Sequence, residues 1–212
     1  MSRMRLVGAA LVACGTLCAA LAIAKDITTK KMVIKDNATH PEKRSVMVLS
    51  KDPTVLFSDA VAPDSAGAAL HIYSATDDFC AILPGGSGWT SNKKHTLWKY
   101  KSKTTKNSAQ IKNGHLQITI KSNVGFSLLD NGTQGTVNAQ AKFGSGTKLC
   151  MRCTGNKKDT GKVFQGNDCV AAPCDTEPSI CDPTVTTTTT SSTTSTTTPS
   201  AGIVLKLSLI HI

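Results

Sequence analysis

Gln110-Ile111-Lys112-Asn113-Gly114-His115-Leu116-Gln117-Ile118-Thr119-Ile120 holds two segments of alternating apolar and polar residues with Asn113-Gly114 between them. Alternation with period two marks a half-buried strand, and Asn-Gly suits a two-residue turn that needs positive φ at both positions. The stretch therefore predicts a type I′ β-hairpin. Across it Ile111 should face Leu116, and Ala109 should face Ile118.

Working outward, the same patterns recur. Lys31 to Lys35 and Ser45 to Ser50 are short β-branched or aliphatic runs ended by Asp36-Asn37 and Lys51-Asp52-Pro53. Val46-Met47-Val48-Leu49 is apolar on both faces, as a central strand would be. Leu70 to Ala75 and Phe79 to Leu83 are two more strands, and Pro84-Gly85-Gly86-Ser87-Gly88 forces a loop. After the turn signal Asp130-Asn131-Gly132, the residues Val137, Ala139, Ala141 and Phe143 are spaced by two, and Lys148 to Arg152 alternates as well. Roughly eight to ten short strands with no convincing helix predict an all-β fold, an antiparallel β-sandwich or barrel. Its core should contain Val46, Val48, Ile72, Trp98, Tyr100, Ile111, Leu116, Ile118, Ile120, Val137 and Phe143.

The two ends of the 212-residue chain read differently. Arg3 and Arg5 precede an apolar run from Leu6 to Ala24 that closes on Ala22-Ile23-Ala24, the pattern of a signal peptide over 1–24 cleaved before Lys25. Leu11-Val12-Ala13-Cys14 also resembles a lipobox, which would make Cys14 a lipid-bearing N-terminus. Against that reading, the apolar run continues past Cys14 where a polar tether is usual. Thr184 to Thr198 is Thr or Ser at every position except Val185, so 185–200 reads as a solvated linker or stalk. Within the tail at 201–212, Leu207-Ser208-Leu209-Ile210-His211-Ile212 resembles a translated sequencing-library adapter, in which case the natural chain continues differently after the linker. The body is then 25–184, with no membrane span once the leader is cleaved.

Removing Arg3, Arg5 and Lys206 leaves 21 basic against 14 acidic side chains in that body. No acidic residue occurs from Phe79 to Leu129, a stretch that contains eight lysines. Alternation sorts several of them to one side. Lys99, Lys101 and Lys103 lie opposite Trp98 and Tyr100, while Lys106, Lys112, His115 and Lys121 point away from Ile111, Leu116 and Ile118. If those strands are neighbours, the charges form a basic face suited to an extracellular polyanion or acidic glycan, or simply a solvated surface that discourages edge pairing. The aromatics turn inward, which argues against stacking of single-stranded nucleic acid.

Cys80, Cys150, Cys153, Cys169, Cys174 and Cys181 all fall in the body, five of them in the Cys-rich end at 150–181. An even count in an exported chain predicts disulfides, with pairing undetermined among the possible connectivities. Lys157 to Asp182 shows little apolar patterning and should depend on such staples. Cys150-Met151-Arg152-Cys153 and Cys169-x4-Cys174 also resemble zinc knuckles, a reading that export into an oxidising compartment weakens. A thioredoxin-like use of the same cysteines needs a helix N-terminus, and the residues alternate like a strand.

Other chemistry is sparse. Gly85-Gly86-Ser87-Gly88 lacks the Gly-x-Ser-x-Gly elbow of a serine hydrolase and reads as a connector. His71, alternating with Leu70 and Ile72, and His40, before Pro41, read as sheet-surface and turn residues. Asp77-Asp78 and Asp130 lack the repeated oxygen spacing of a calcium loop. Asn37-Ala38-Thr39 and Asn131-Gly132-Thr133 fit the glycosylation triplet, at places where turns already favour Asn. No metal or cofactor fingerprint stands out.

Trp98-Lys99-Tyr100-Lys101, followed by Ile111-Lys112-Asn113-Gly114-x-Leu116 and a late cysteine cluster, resembles uncharacterised exported β-rich modules of environmental bacteria. Ile34-Lys35-Asp36 with Lys43-Arg44 and Lys51-Asp52 adds to that resemblance. It implies export and a sandwich-like body, and carries no activity with it. The expectation is a noncatalytic extracellular or cell-surface module, structural or weakly polyanion-binding. The alternative is a small secreted hydrolase with a loop-built site, which a concave pocket holding two or more of His71, Asp77, Asp78, Ser87 and His95 would favour.

Overall fold

In the computed structural model the residues described are 24–121, 123–128, 132–171, 173 and 181. The strands run in chain order as β1 (Ala24–Asp26), β2 (Thr29–Lys35), β3 (Ser45–Ser50), β4 (Ala60–Val61), β5 (Ala68–Tyr73), β6 (Asp78–Leu83) and β7 (Trp89–Ser91). They continue as β8 (Leu97–Lys101), β9 (Ser108–Lys112), β10 (His115–Ile120), β11 (Thr136–Gly144), β12 (Lys148–Thr154), β13 (Lys158–Thr160) and β14 (Val163–Cys169). The α-helix among the described residues is a single turn, Pro63–Ala66.

Two sheets face each other. The first has the order β1-β12-β11-β5-β6 with β4 added beside β11, and the second has the order β13-β14-β2-β3-β10-β9-β8-β7. Pairing is antiparallel except where the short strands β1 and β4 lie parallel to β12 and β11. The architecture is the expected all-β sandwich. The hairpin register is also as expected, with Ile111 opposite Leu116 and Ala109 opposite Ile118.

Alternation fills the space between the sheets. Val46, Val48, Ile111, Leu116, Ile118 and Ile120 project from the eight-stranded sheet onto Ile72, Val137, Ala139, Ala141 and Phe143 of the other, and all are buried. Trp98 differs from the expectation: it is only partly buried, because β8 lies next to the outermost strand and its indole stacks on Phe57 at 6.1 Å instead of entering the centre.

The turn at Asn113-Gly114 also departs from the sequence reading. Gly114 has φ +67° but Asn113 is not in the positive-φ region, a sign pattern of a type II rather than a type I′ turn. Tertiary contacts select it: Asn113 Oδ1 accepts a hydrogen bond from Phe57 N at 2.7 Å, and Gly114 N donates to Val55 O at 2.8 Å.

The region after Lys157, whose sequence shows little apolar patterning, holds β13 and β14, and a disulfide from Cys169 at the end of β14 to Cys153 staples it. β14 pairs with β2 over most of its length. Gly166 permits this, since a Cβ there would stand 2.6 Å from Thr154 O and 2.8 Å from Cys153 Cβ. The missing side chain lets β14 pass close to β12.

The cysteines are cross-linked as Cys80–Cys181 and Cys153–Cys169, and Cys150 is disulfide-bonded too. Cys150 and Cys153, three apart on β12, project to opposite faces of the strand, so they can neither pair with each other nor grip one zinc ion together. Cys174 lies outside the described residues, as do the leader at 1–23, Asp130, Asn131, the linker and the tail.

Candidate functional site

The register of the eight-stranded sheet determines what its outward face presents. One row across the strands reads Lys101, Ser108, Thr119, Met47, Val33, Gln165, Lys158; the next reads Thr90, Lys99, Gln110, Gln117, Leu49, Lys31, Asn167. At the flanks, Leu97, Lys112 and His115 form one line, and Ser45 opposite Lys35 forms another. Among these residues there is no carboxylate. The middle strands offer amides, hydroxyls and the half-buried Met47 and Leu49, while lysines stand on either side.

Lys99, Lys101, Lys103, Lys106 and Lys121 line one depression of about 850 Å³, together with Ser87, Thr90 and Tyr100. Five of the seven residues expected to share a basic face are thus brought together. Lys112 and His115 are not among them; they pair with each other at the opposite end of the hairpin. Burial, reinforced by the charges of Lys112 and Lys51, pushes the His115 imidazole below its ordinary value, so at neutral pH it adds no charge. Tyr100 is itself buried, so it offers no ring face for a base or sugar to stack upon.

A second depression of about 360 Å³ adjoins the first at Lys121 and is lined by Lys31, Lys35, Val33, Met47 and Gln165. Sequence reading missed Lys31 and Lys35 because they lie far along the chain from the acid-free stretch; only the pairing of β2 with β3 and of β3 with β10 carries them to the same face. A third depression, at Thr28, Lys30, Lys51 and Asp168, is of mixed charge, and there Lys30 and Asp168 form an exposed ion pair.

Of the residues that could have built a hydrolase, His71, Asp77, Asp78 and His95 lie apart from these depressions. His71 and Asp78 do meet, with His71 Nε2 2.8 Å from Asp78 Oδ1. Contrary to the expectation of a sheet-surface residue, His71 is buried. It sits on the face of β5 away from the central core, its ring 4.8 Å from that of Tyr73, and its Nδ1 has no hydrogen-bond partner among the described residues. Asp77 accepts hydrogen bonds from Asp78 N and Ser127 N, a turn role. His95 occupies a positive-φ turn position, and His40 contacts Glu42 at 3.0 Å. Ser87 lines the lysine depression without either histidine. Asn37 Oδ1 accepts hydrogen bonds from Thr39 N and His40 N, so it organises the turn before Pro41. Among the described residues no three His, Cys, Asp or Glu side chains gather as a metal site.

Two buried carboxylates serve the scaffold. Burial opposes the charge of Asp36, but hydrogen bonds from Leu128 N, Arg44 and Ser127 outweigh it and hold the carboxyl below the usual range. Asp52 is buried too. Four hydrogen bonds from the backbone N–H and hydroxyl groups of Thr28 and Thr54 overcome that burial and hold it at about 2. Both therefore stay ionised and fasten connections between strands; Asp59, buried as well, pairs with Lys25 at 2.8 Å. No helix among the described residues is long and apolar enough to cross a membrane. No family model, curated protein or solved structure matches the chain.

Proposed function

We propose that this chain is an exported, noncatalytic module whose eight-stranded sheet presents a basic face to extracellular polyanions. The observation that carries the proposal is the outward face itself: lysines from several strands converge on adjoining depressions, and no carboxylate of the described residues lines them. Lysine ammonium groups held apart on a stiff sheet, with no carboxylate of the described residues to neutralise them, attract anions from solution and lose that attraction as salt screens it. Export rests on the leader-like segment at 1–24 together with the oxidised cysteines, which fit an oxidising compartment. The linker at 185–200 would hold the module away from whatever follows it.

The test is retention on a sulfated-polysaccharide column, comparing the wild type with a variant carrying Lys99→Gln, Lys101→Gln and Lys103→Gln together. The wild type should elute at clearly higher salt. Elution of both at the same low salt would leave the face with no binding role.

A small secreted hydrolase is the second reading, and the His71–Asp78 contact is what favours it. Against it weighs the Nδ1 of His71, which meets no Ser or Thr hydroxyl among the described residues.

A further inference from the structure

Lys99 and Lys101 both point outward from β8, two residues and about 7 Å apart. Lys103 and Lys106 lie in the turn that leads from β8 to β9, and Lys121 directly follows β10. The turn is held in shape: Ser102 N donates to Asn107 O at 2.9 Å, Ser102 Oγ accepts from Thr104 N and Thr105 N, and Asn107 Oδ1 accepts from Lys121 N at 2.8 Å. The last of these bonds brings the end of β10 against the turn, so five lysines surround one depression. No carboxylate of the described residues lines it, and none of the five forms an ion pair with a described residue. Like charges so placed repel one another. Lys106 adds strain to repulsion, because it holds φ +59°, a conformation that Gly or Asn adopts more readily than a lysine.

We infer that this depression is a site for a compact ligand carrying two or three phosphate groups, joined in a chain or set side by side on a small sugar. This rests on the polyanion-binding reading above and names the chemistry that the most crowded part of the face takes. Charge density selects the class. A phosphate monoester carries about −1.5 to −2 at neutral pH, so two or three of them balance five lysines, where a carboxylate ligand would need five groups in the same space. Lysine suits phosphate as well, since its ammonium is a compact point charge whose three donors turn toward whichever oxygen approaches. The hydrogen bonds of the turn hold Lys103, Lys106 and Lys121 in place before a ligand arrives, so binding forfeits little backbone freedom there. An anion among the lysines relieves their repulsion, and a strained residue such as Lys106 belongs to the kind found at ligand clamps.

The probes are fructose 6-phosphate, fructose 1,6-bisphosphate and tripolyphosphate, with one, two and three phosphates, and citrate, with three carboxylates. Titration calorimetry at matched ionic strength reads their affinity for the wild type, Lys106→Asn, Lys121→Gln and Lys35→Gln, with circular dichroism to verify that each variant folds. The better of tripolyphosphate and the bisphosphate should bind at least about tenfold more tightly than citrate and fructose 6-phosphate, a difference of about 1.4 kcal/mol. Which of the two is better tells whether the phosphates are joined or stand as separate esters. Lys106→Asn and Lys121→Gln should each weaken that ligand about two- to fivefold. Lys35→Gln, which lies outside this depression, should bind it as the wild type does. Without ligand, Lys106→Asn should melt at a higher temperature than the wild type, whereas a lysine needed only for the shape of the turn would make it melt lower. Citrate binding as tightly as the phosphates, an unchanged affinity in Lys106→Asn or Lys121→Gln, an equal loss in Lys35→Gln, or a lower melting temperature of Lys106→Asn would overturn the inference. Those failures are separable from failure of the parent reading, in which the wild type would show no salt-sensitive retention on the sulfated column at all.

Discussion

Replacing Ile118 with Ala tests the sandwich at its centre, and replacing the adjacent Gln117 with Ala supplies the contrast. Ile118 is fully buried on β10, paired with Val48 on one side and Ala109 on the other. The substitution removes three carbon atoms, about 2.4 kcal/mol of transfer free energy at about 0.8 kcal/mol per buried methylene. Ala109 is too small to move into the space, so a cavity term adds to this and the total should reach about 3 to 4 kcal/mol. Gln117 points outward from the same strand, and its loss should cost less than about 0.5 kcal/mol. Urea denaturation of the oxidised protein reads both, with a lower midpoint and an unchanged slope expected for Ile118→Ala. In a domain of this size that loss corresponds to a fall in Tm of roughly 6 to 16 °C. Equal midpoints for the two variants would refute the assignment of faces on β10, and with it the composition of the sheet's outward face.

Paired Cys→Ala variants separate the staples: on loop entropy, the 101-residue loop of Cys80–Cys181 should be worth about 4.7 kcal/mol and the 16-residue loop of Cys153–Cys169 about 3 kcal/mol. Urea midpoints in the reverse order would mean that packing around buried Cys153 outweighs chain entropy. The carboxyl of Asp52, held at about 2 against an ordinary 3.8, stabilises the fold above pH 4 and loses that effect as the pH falls toward 2. Stability measured between pH 5 and 2 should therefore fall by about 2 kcal/mol more in the wild type than in Asp52→Asn; parallel acid limbs would contradict this. Gly114→Ala meets open space but a positive φ, and should cost about 1 to 2 kcal/mol in a thermal melt. No loss would indicate that the turn relaxes.

Much of the fold was legible where one side of a strand is wet. The limits of β3 agree with the run Ser45 to Ser50, and the spacing of Val137, Ala139, Ala141 and Phe143 marks the inward face of β11. The reading failed where that rule is suspended. β5 is buried on both faces, so His71 looked like a surface residue although it is enclosed. β14 carries Gly166, Asn167 and Asp168, residues that signal a turn, yet Gly166 is there because β12 leaves no room for a side chain. The basic face was half legible. Lysines close in the chain could be sorted by alternation, but Lys31 and Lys35 join them only through sheet order, which no local pattern encodes.

The bond between Cys80 and Cys181 also determines how the protein would respond to mechanical load. A pull arriving from residues beyond Cys181 enters the sandwich through sulfur at β6, bypassing β13 and β14. β6 is an edge strand held by six paired positions to β5, from Ala68–Leu83 to Tyr73–Asp78. That entry point lies on the sheet opposite the basic face. Reduction of that one bond would pass the pull further up the chain toward Cys169, where the bridge to Cys153 shares it between β14, the strand that neighbours Lys31 and Lys35, and β12.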